Sequence, residues 1–193
     1  MGLVVLVLGL AIFVANHLFV TMRGARAAAI ARLGLNAYRA LFSVVSLIGL
    51  ALIVWGFADY RAHGWIDIWY PPAFMRHITV GLMLIATIVL TAYFIPSHIK
   101  AWVKYPTLTA VKTWAFAHLL SNGDLGSIVL FGTFLAWAVY ARIAAKGRKD
   151  EVLPVAPAGW RNDIVVVVLG VLVYLALGFY FHPYVIGVPV FAG

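Results

Sequence analysis

The 193-residue sequence contains no cysteine and only six acidic residues, against 14 lysines and arginines. The missing thiol excludes structural disulfides, a thiolate nucleophile, a cysteine-rich zinc site and c-type haem attachment through a Cys-x-x-Cys-His motif. Histidine is then the only strong neutral metal ligand in the chain. The scarcity of carboxylates also argues against a proton pump or an ion-coupled transporter, because the predicted membrane spans contain none.

Apolar residues dominate what is present. Hydrophobic residues make up 65% of the chain and charged residues 10%, whereas soluble domains are about 45–50% apolar and about 25% charged. Several uncharged stretches approach or exceed the ~18 residues that indicate a membrane-spanning helix. We therefore predict an all-α, polytopic integral membrane bundle, forming a single transmembrane domain over residues 1–193, with the lipid bilayer as its principal partner.

The apolar stretches predict six transmembrane helices, at about 2–20, 40–57, 74–95, 106–123, 126–141 and 164–181. The first lacks a basic n-region and a cleavage pattern, so we expect it to remain as a span rather than to be removed as a signal peptide. The fourth is short, and we expect it to begin near Pro106 while the Lys112 ammonium reaches the interface. His182 and Pro183 are expected to end the sixth.

The distribution of basic residues predicts the orientation of these helices. Twelve of the 14 lie in the first, third and fifth connections, and the other two lie on the opposite side. Under the positive-inside rule, both termini are then non-cytoplasmic. Membrane anchoring accounts for the net charge of +8, and no nucleic-acid partner is expected. The basic residues of the three connections are Arg23, Arg26, Arg32, Arg39, Lys100, Lys104, Lys112, Arg142, Lys146, Arg148, Lys149 and Arg161.

Three histidines, His17, His77 and His118, are the ionisable residues expected within the hydrocarbon core. Intramembrane ionisable groups are candidate functional residues, and histidine is a common axial haem ligand. At 1.5 Å per residue, His77 and His118 differ in depth by about 5–6 Å, and His17 and His118 by about 12–15 Å. Depth favours His77 as the partner of His118, although helix tilt can erase this margin. Hydrogen bonding between helices, another metal and a catalytic base remain open.

Further residues are candidates for the same site. Trp114 and Asn122 share the predicted helix face of His118, where they would line a bound macrocycle. Arg76 is a candidate for holding a haem propionate, although pairing with an aspartate of the preceding loop explains it equally well.

A tight turn and three outlying histidines have simpler explanations. The sequence Asn122-Gly123-Asp124 is typical of a turn in which Asp124 caps the next helix. The remaining histidines, His63, His98 and His182, are expected to be solvated at or outside the membrane interface.

Four sequence elements together resemble the NnrU family of bacterial inner-membrane proteins. They are Asn16-His17-Leu18, Pro71-Pro72-Ala-Phe-Met-Arg76-His77, Pro106-x5-Lys112-x-Trp114-Ala-x-Ala-His118-Leu-Leu-x-Asn122-Gly123-Asp124 and Phe134-Leu-Ala-Trp137-Ala. The likeness covers nearly the whole chain. It implies a multi-pass protein of the bacterial inner (cytoplasmic) membrane, linked to denitrification (nitrite and nitric oxide metabolism).

The same domain is similar to the zeta-carotene isomerase of plants and cyanobacteria, which holds a b-type haem through histidines. The resemblance implies haem b here, with ligands at His17 and His118 and a further family histidine at His77. It implies a redox-gated cis–trans isomerase of a hydrophobic polyene or, alternatively, a non-enzymatic haem-binding, accessory or sensing protein. Ala115 stands where the isomerase carries a cysteine, which excludes a thiol-dependent ligand exchange. A distant likeness of Lys104-Tyr105-Pro106 to membrane methyltransferases lacks the acidic partner expected for a nucleotide cofactor.

Overall fold

The computed structural model describes residues 1–147 and 153–191, which form helices, loops and one isolated β-bridge. The all-α prediction is therefore confirmed for the described residues. Arg148 and Lys149, which contributed to the charge argument, lie outside them. The elements are α1 Gly2–Phe19, α2 Arg23–Leu33, α3 Leu35–His63, α4 Phe74–Thr91, α5 His98–Val103, α6 Pro106–Ser121, α7 Leu125–Lys146 and α8 Arg161–Ala176, which runs directly into a π-helical segment, Leu177–Ile186.

Within the described residues, five helices are long and apolar enough to cross a membrane: α1, α3, α4, α7 and the continuous helix Arg161–Ile186. The chain is thus a helical protein with several candidate membrane spans. The helix α6 has 16 residues, or about 24 Å at 1.5 Å per residue, less than the ~30 Å hydrocarbon thickness. It therefore falls short of the length expected for the predicted fourth span.

Two helix boundaries differ from the predicted ones. The helix α3 extends beyond the uncharged segment 40–57 at both ends, because hydrophobicity marks only the lipid-embedded part of a longer helix. The prediction that His182 and Pro183 end the last helix is wrong, since the helix continues as a π-helix to Ile186 and is terminated by Gly187, whose φ is 78°. The wider π turn accommodates a proline, which lacks the backbone N–H that an α-helix would use.

One compact unit comprises residues 1–70 and 122–145. Its main contact is an antiparallel seam between α1 and α3, where Gly2 and Gly9 approach Gly49 and Gly56. The glycines are seven residues apart on each helix, a spacing that keeps them on one seam. Such small residues allow close backbone approach between membrane helices. Phe13 contacts Gly49 across the same seam.

One end of this unit is held by hydrogen bonds between two loops. The Gly123 carbonyl accepts bonds from the backbone N–H groups of Ile68 and Trp69, at 2.9 and 3.1 Å. Asp124 is buried, and its Oδ1 accepts a 2.9 Å bond from the backbone N–H of Ser127. The predicted capping role of Asp124 at the start of α7 is confirmed.

The second compact unit comprises residues 71–121 and 146–193, of which 148–152, 192 and 193 are not described. Its central helix α4 packs against α6 and α8. The hydroxyl of Thr79 donates to the Ala117 carbonyl of α6 at 2.8 Å, and that of Thr91 to the Val166 carbonyl of α8 at 3.1 Å. Because Thr79 is near the start of α4 and Ala117 near the end of α6, these two helices are antiparallel.

A polar cluster joins α5 to the start of α8. His98 Nδ1 lies 2.8 Å from Asp163 Oδ2, and the ring of His98 stacks on that of Trp160 at 4.1 Å. The His98 side chain is 18% exposed, so the expectation that it is simply solvated is wrong. His63, by contrast, is 75% exposed and pairs with Asp59 four residues earlier, as expected for a solvated histidine.

Candidate functional site

His17 lies near the end of α1 in the first unit, where it is half-buried. Its Nδ1 is 2.8 Å from the carbonyl oxygen of Phe13, one turn earlier. A carbonyl oxygen can only accept, so Nδ1 must carry the proton, and the lone pair of the neutral ring is on Nε2. Histidines that bind metals are commonly oriented in this way, by a hydrogen bond from the other ring nitrogen.

Aromatic rings surround His17. The ring of Phe13 stacks on it at 4.1 Å, and Phe42 and Trp137 present their edges at centroid distances of 5.1 and 5.4 Å. The indole Nε1 of Trp137 is buried and has no hydrogen-bond partner within the described part of the chain. Asn16, the preceding residue, donates its amide to the Phe42 carbonyl at 2.9 Å. His17 is therefore held among aromatic rings, and the indole N–H of Trp137 beside it is a hydrogen-bond donor without an acceptor in the described part of the chain.

His118 has the same local arrangement in the second unit. Its Nδ1 is 2.9 Å from the carbonyl oxygen of Trp114, one turn earlier on α6, so this nitrogen is also the donor. The Trp114 ring lies 5.5 Å from the histidine ring. Ala115 and Ala117 are fully buried beside it. The structure thus brings the predicted pair Trp114 and His118 together. The tautomer of His118 leaves the lone pair of the ring on Nε2.

His182 is a candidate that the sequence did not reveal. It belongs to the π-helical segment, and its ring centroid lies 6.2 Å from that of His118, with an angle of 27° between the planes. Its Nδ1 is buried without a hydrogen-bond partner among the described residues. The expectation that His182 is solvated is therefore wrong. The residue pair His182-Pro183 was the available signal, but sequence alone gave no reason to continue the helix past it.

The remaining predicted residues occupy other positions. His77 is exposed on α4, two residues before Thr79, whose hydroxyl reaches α6. Since two residues correspond to about 200° of helix rotation, His77 lies on the face of α4 opposite the α6 contact. Arg76 donates from Nη2 to the Val190 carbonyl at 2.7 Å. Asn122 begins the second segment of the first unit.

The histidines fit a haem better than a bare ion. Among the residues that the structure describes, no group of three or more histidines and carboxylates could hold a metal ion. A haem supplies its own four nitrogen ligands and needs at most two from the protein. His17 and His118 each offer the required tautomer beside aromatic rings, and both therefore suit an axial position.

A comparison with protein families decides the relationship. The family model described as NnrU protein matches residues 5–190. The chain belongs to the NnrU family. The match covers His17, His77 and His118 and spans segments of both compact units, so the family predicted from the four sequence elements is confirmed. No curated protein and no solved structure matches the chain.

Proposed function

We propose that this member of the NnrU family binds haem b and that His118 is an axial ligand. The observation that carries the proposal is the Nδ1 hydrogen bond of His118 to the Trp114 carbonyl, which orients the ring and directs the lone pair to Nε2. A bound haem would supply an iron centre whose properties the axial ligand and surrounding residues tune. Trp114 would pack beside it.

Three histidines are candidates for the second axial position. His17 is supported by its matching tautomer and aromatic surroundings and by the resemblance to the haem-containing isomerase. His182 is supported by its 6.2 Å distance from His118 and its buried, unpartnered Nδ1 within the described residues. His77, the partner favoured by depth, is exposed on α4, which makes it the weakest candidate. Arg76 and Asn122 remain candidates for contacts with the haem edge.

The absorption spectrum of the purified full-length protein tests haem binding. We expect a Soret band and, after reduction, resolved α and β bands. His118→Ala should remove at least nine-tenths of the haem, whereas His63→Ala, a change at an exposed histidine, should leave the content unchanged. In His118→Gly, added imidazole should restore the spectrum. A wild-type protein without a Soret band, or full haem retention by both His118 variants, would overturn the proposal.

The second ligand is identified by the same measurement on His17→Ala, His182→Ala and His77→Ala. In a variant that keeps His118 and retains the haem, loss of the second axial histidine converts a six-coordinate low-spin haem to a five-coordinate high-spin form, which shifts the Soret band and changes the electron paramagnetic resonance signal. We expect this change in His17→Ala. The same change in His182→Ala would transfer the assignment to the histidine beside His118.

For the bilayer, we propose a six-span arrangement with both termini on the non-cytoplasmic side of the bacterial inner membrane. The antiparallel contact of α4 and α6 supports this, because a helix that runs back along a crossing helix returns the chain to the side where α4 began. The loop bonds between Gly123 and Ile68 support it independently, because they join the end of α6 to the loop that precedes α4. The concentration of basic residues in alternate connections supports the orientation.

The absence of native cysteine makes this topology directly testable. Single variants Ala62→Cys and Val188→Cys should react with a membrane-impermeant maleimide in intact spheroplasts, whereas Val155→Cys should react only after permeabilisation. All three residues are exposed. If α6 does not cross, Val155 and Ala62 will instead share one side and Val188 will lie on the other.

For the activity, we infer cis–trans isomerisation of a hydrophobic polyene, on the strength of the resemblance to the isomerase. Incubation of the reduced, haem-loaded protein with a cis-polyene should produce a trans isomer that chromatography resolves. The His118→Ala protein and free haem should not. Failure of the haem-loaded protein to convert any cis-polyene would favour the alternative, a non-enzymatic accessory or sensing protein of nitrite and nitric oxide metabolism. The test of that alternative is a change in the absorption spectrum when nitric oxide is added.

A further inference from the structure

An open cleft lies beside the start of α3 in the first unit. Its volume is about 360 Å³. It is situated where α1 ends and where α2 and α3 begin. The loops around Asp124 lie beyond the opposite end of α3. The residues that line the cleft are Val20, Arg26, Tyr38, Arg39, Phe42 and Ser43.

Two cationic side chains line this cleft without an acidic partner. Arg26 and Arg39 are both exposed, and neither forms an ion pair with a carboxylate among the described residues. Asp59 is the next acidic residue along α3, 20 positions after Arg39, which corresponds to about 30 Å of helix. At that distance, salt screens most of the attraction. The charge of the cleft is therefore available to an anionic ligand.

Tyr38 supplies an independent indication of a ligand. The residue is only 7% exposed, and its hydroxyl is buried without a hydrogen-bond partner in the described part of the chain. Buried polar groups are normally paired. The guanidinium carbon of Arg26 lies 6.0 Å from the Tyr38 ring centroid, and rotation of this exposed side chain would open the hydroxyl to the cleft. An oxyanion held by the arginines would then accept the missing hydrogen bond.

The apolar surroundings distinguish a lipid from a free anion. Val20 and Phe42 line the same cleft, and Leu41 and Val44, which adjoin the cleft residues in the sequence of α3, are exposed. The adjoining helix α2 has no buried residue, as expected for a helix that lies at the membrane interface. An acyl chain would extend over the apolar surface, while the headgroup would lie between the arginines.

We propose that this cleft binds the phosphate headgroup of an anionic phospholipid. Arg26 and Arg39 bind the phosphate oxygens, the Tyr38 hydroxyl donates to one of them, and the acyl chains lie along the exposed face of α3. Guanidinium groups suit this role because their N–H groups match two phosphate oxygens at once. Phe42 lines the cleft and also contacts His17, but the groups that would bind the phosphate are not histidines, and the proposal does not depend on haem binding.

Lipid titration of the full-length protein in neutral detergent tests the proposal. We expect phosphatidylglycerol to bind as a discrete adduct in native mass spectrometry and to raise the melting temperature, because a ligand that binds only the folded state stabilises it. Phosphatidylcholine should have much less effect. Arg26→Gln and Arg39→Gln should each weaken phosphatidylglycerol binding about tenfold, and Tyr38→Phe about threefold.

Arg32→Gln is the matched control, because it removes the same charge from an exposed position on α2 that does not line the cleft. It should bind like the wild type. Equal weakening by Arg32→Gln and Arg26→Gln would overturn the site in favour of diffuse surface attraction. Displacement of the lipid by inorganic phosphate at similar concentrations would overturn the lipid assignment in favour of a free anion. Unchanged melting temperatures without added lipid will show that the variants are folded.

Discussion

Replacing Gly9 with alanine is expected to force apart the α1–α3 helix pair. A Cβ at this position would lie 2.6 Å from the backbone nitrogen of Ile53, about 0.8 Å short of the 3.4 Å at which ordinary contacts begin. The obstructing atoms are backbone atoms, which cannot rotate away as a side chain can. The helices must therefore separate along the seam that Gly2, Gly49 and Gly56 also form.

The size of the effect follows from this displacement. A gap of 0.5–1 Å forfeits about a quarter to a half of the dispersion energy of the atoms that face it, and overpacking a tight interface costs about 1–3 kcal/mol. Alanine regains up to about 1 kcal/mol of helix propensity relative to glycine. The expected net loss is therefore up to about 2 kcal/mol, and Gly9→Leu should lose more.

Gly132→Ala is the matched control for this substitution. Gly132 lies within α7, and a Cβ built there meets nothing within 4 Å. The same chemical change should therefore stabilise the protein by about 0.5–1 kcal/mol. Unfolding in mixed micelles, followed by tryptophan fluorescence, measures both variants. If Gly9→Ala proves as stable as Gly132→Ala, the close α1–α3 packing does not exist in the membrane protein.

Three further substitutions test individual hydrogen bonds by the same unfolding measurement. Thr79→Val removes the bond to the Ala117 carbonyl and should cost about 0.6 kcal/mol, up to about 1.7, while Thr79→Ser should retain the bond. Asp124→Ala should cost about 1 kcal/mol through loss of the α7 cap, whereas Asp124→Asn keeps the cap and should cost less; equal losses would exclude the capping explanation. Tyr60→Phe removes the hydroxyl that pairs with the backbone N–H and carbonyl of Ile66 at 3.0 and 3.3 Å and should cost about 1 kcal/mol.

The candidate site was only partly predictable. The isolated histidines His17 and His118 could be selected because ionisable residues are rare in apolar helices. The aromatic neighbour Trp114 followed from helical spacing, since residues four apart share one face. The position of His77 could not be obtained in this way, because depth along a span gives no rotation about its axis. His182 was missed because its approach to His118 requires a π-helical turn through Pro183, which local propensity does not favour.

The sequence by itself determined the all-helical membrane class, the family and the candidate functional residues. Helices that cross hydrocarbon must be long and apolar, so a polar residue within them is rare and easily identified. The tertiary structure decided which of these residues meet. It brought the glycines of α1 and α3 into one seam, placed His182 beside His118 and left the Tyr38 hydroxyl without a partner in the described residues, beneath Arg26. These contacts join residues that are distant in the chain, or they depend on how each helix is rotated about its axis. Hydrophobic periodicity specifies neither the pairing of distant residues nor this rotation.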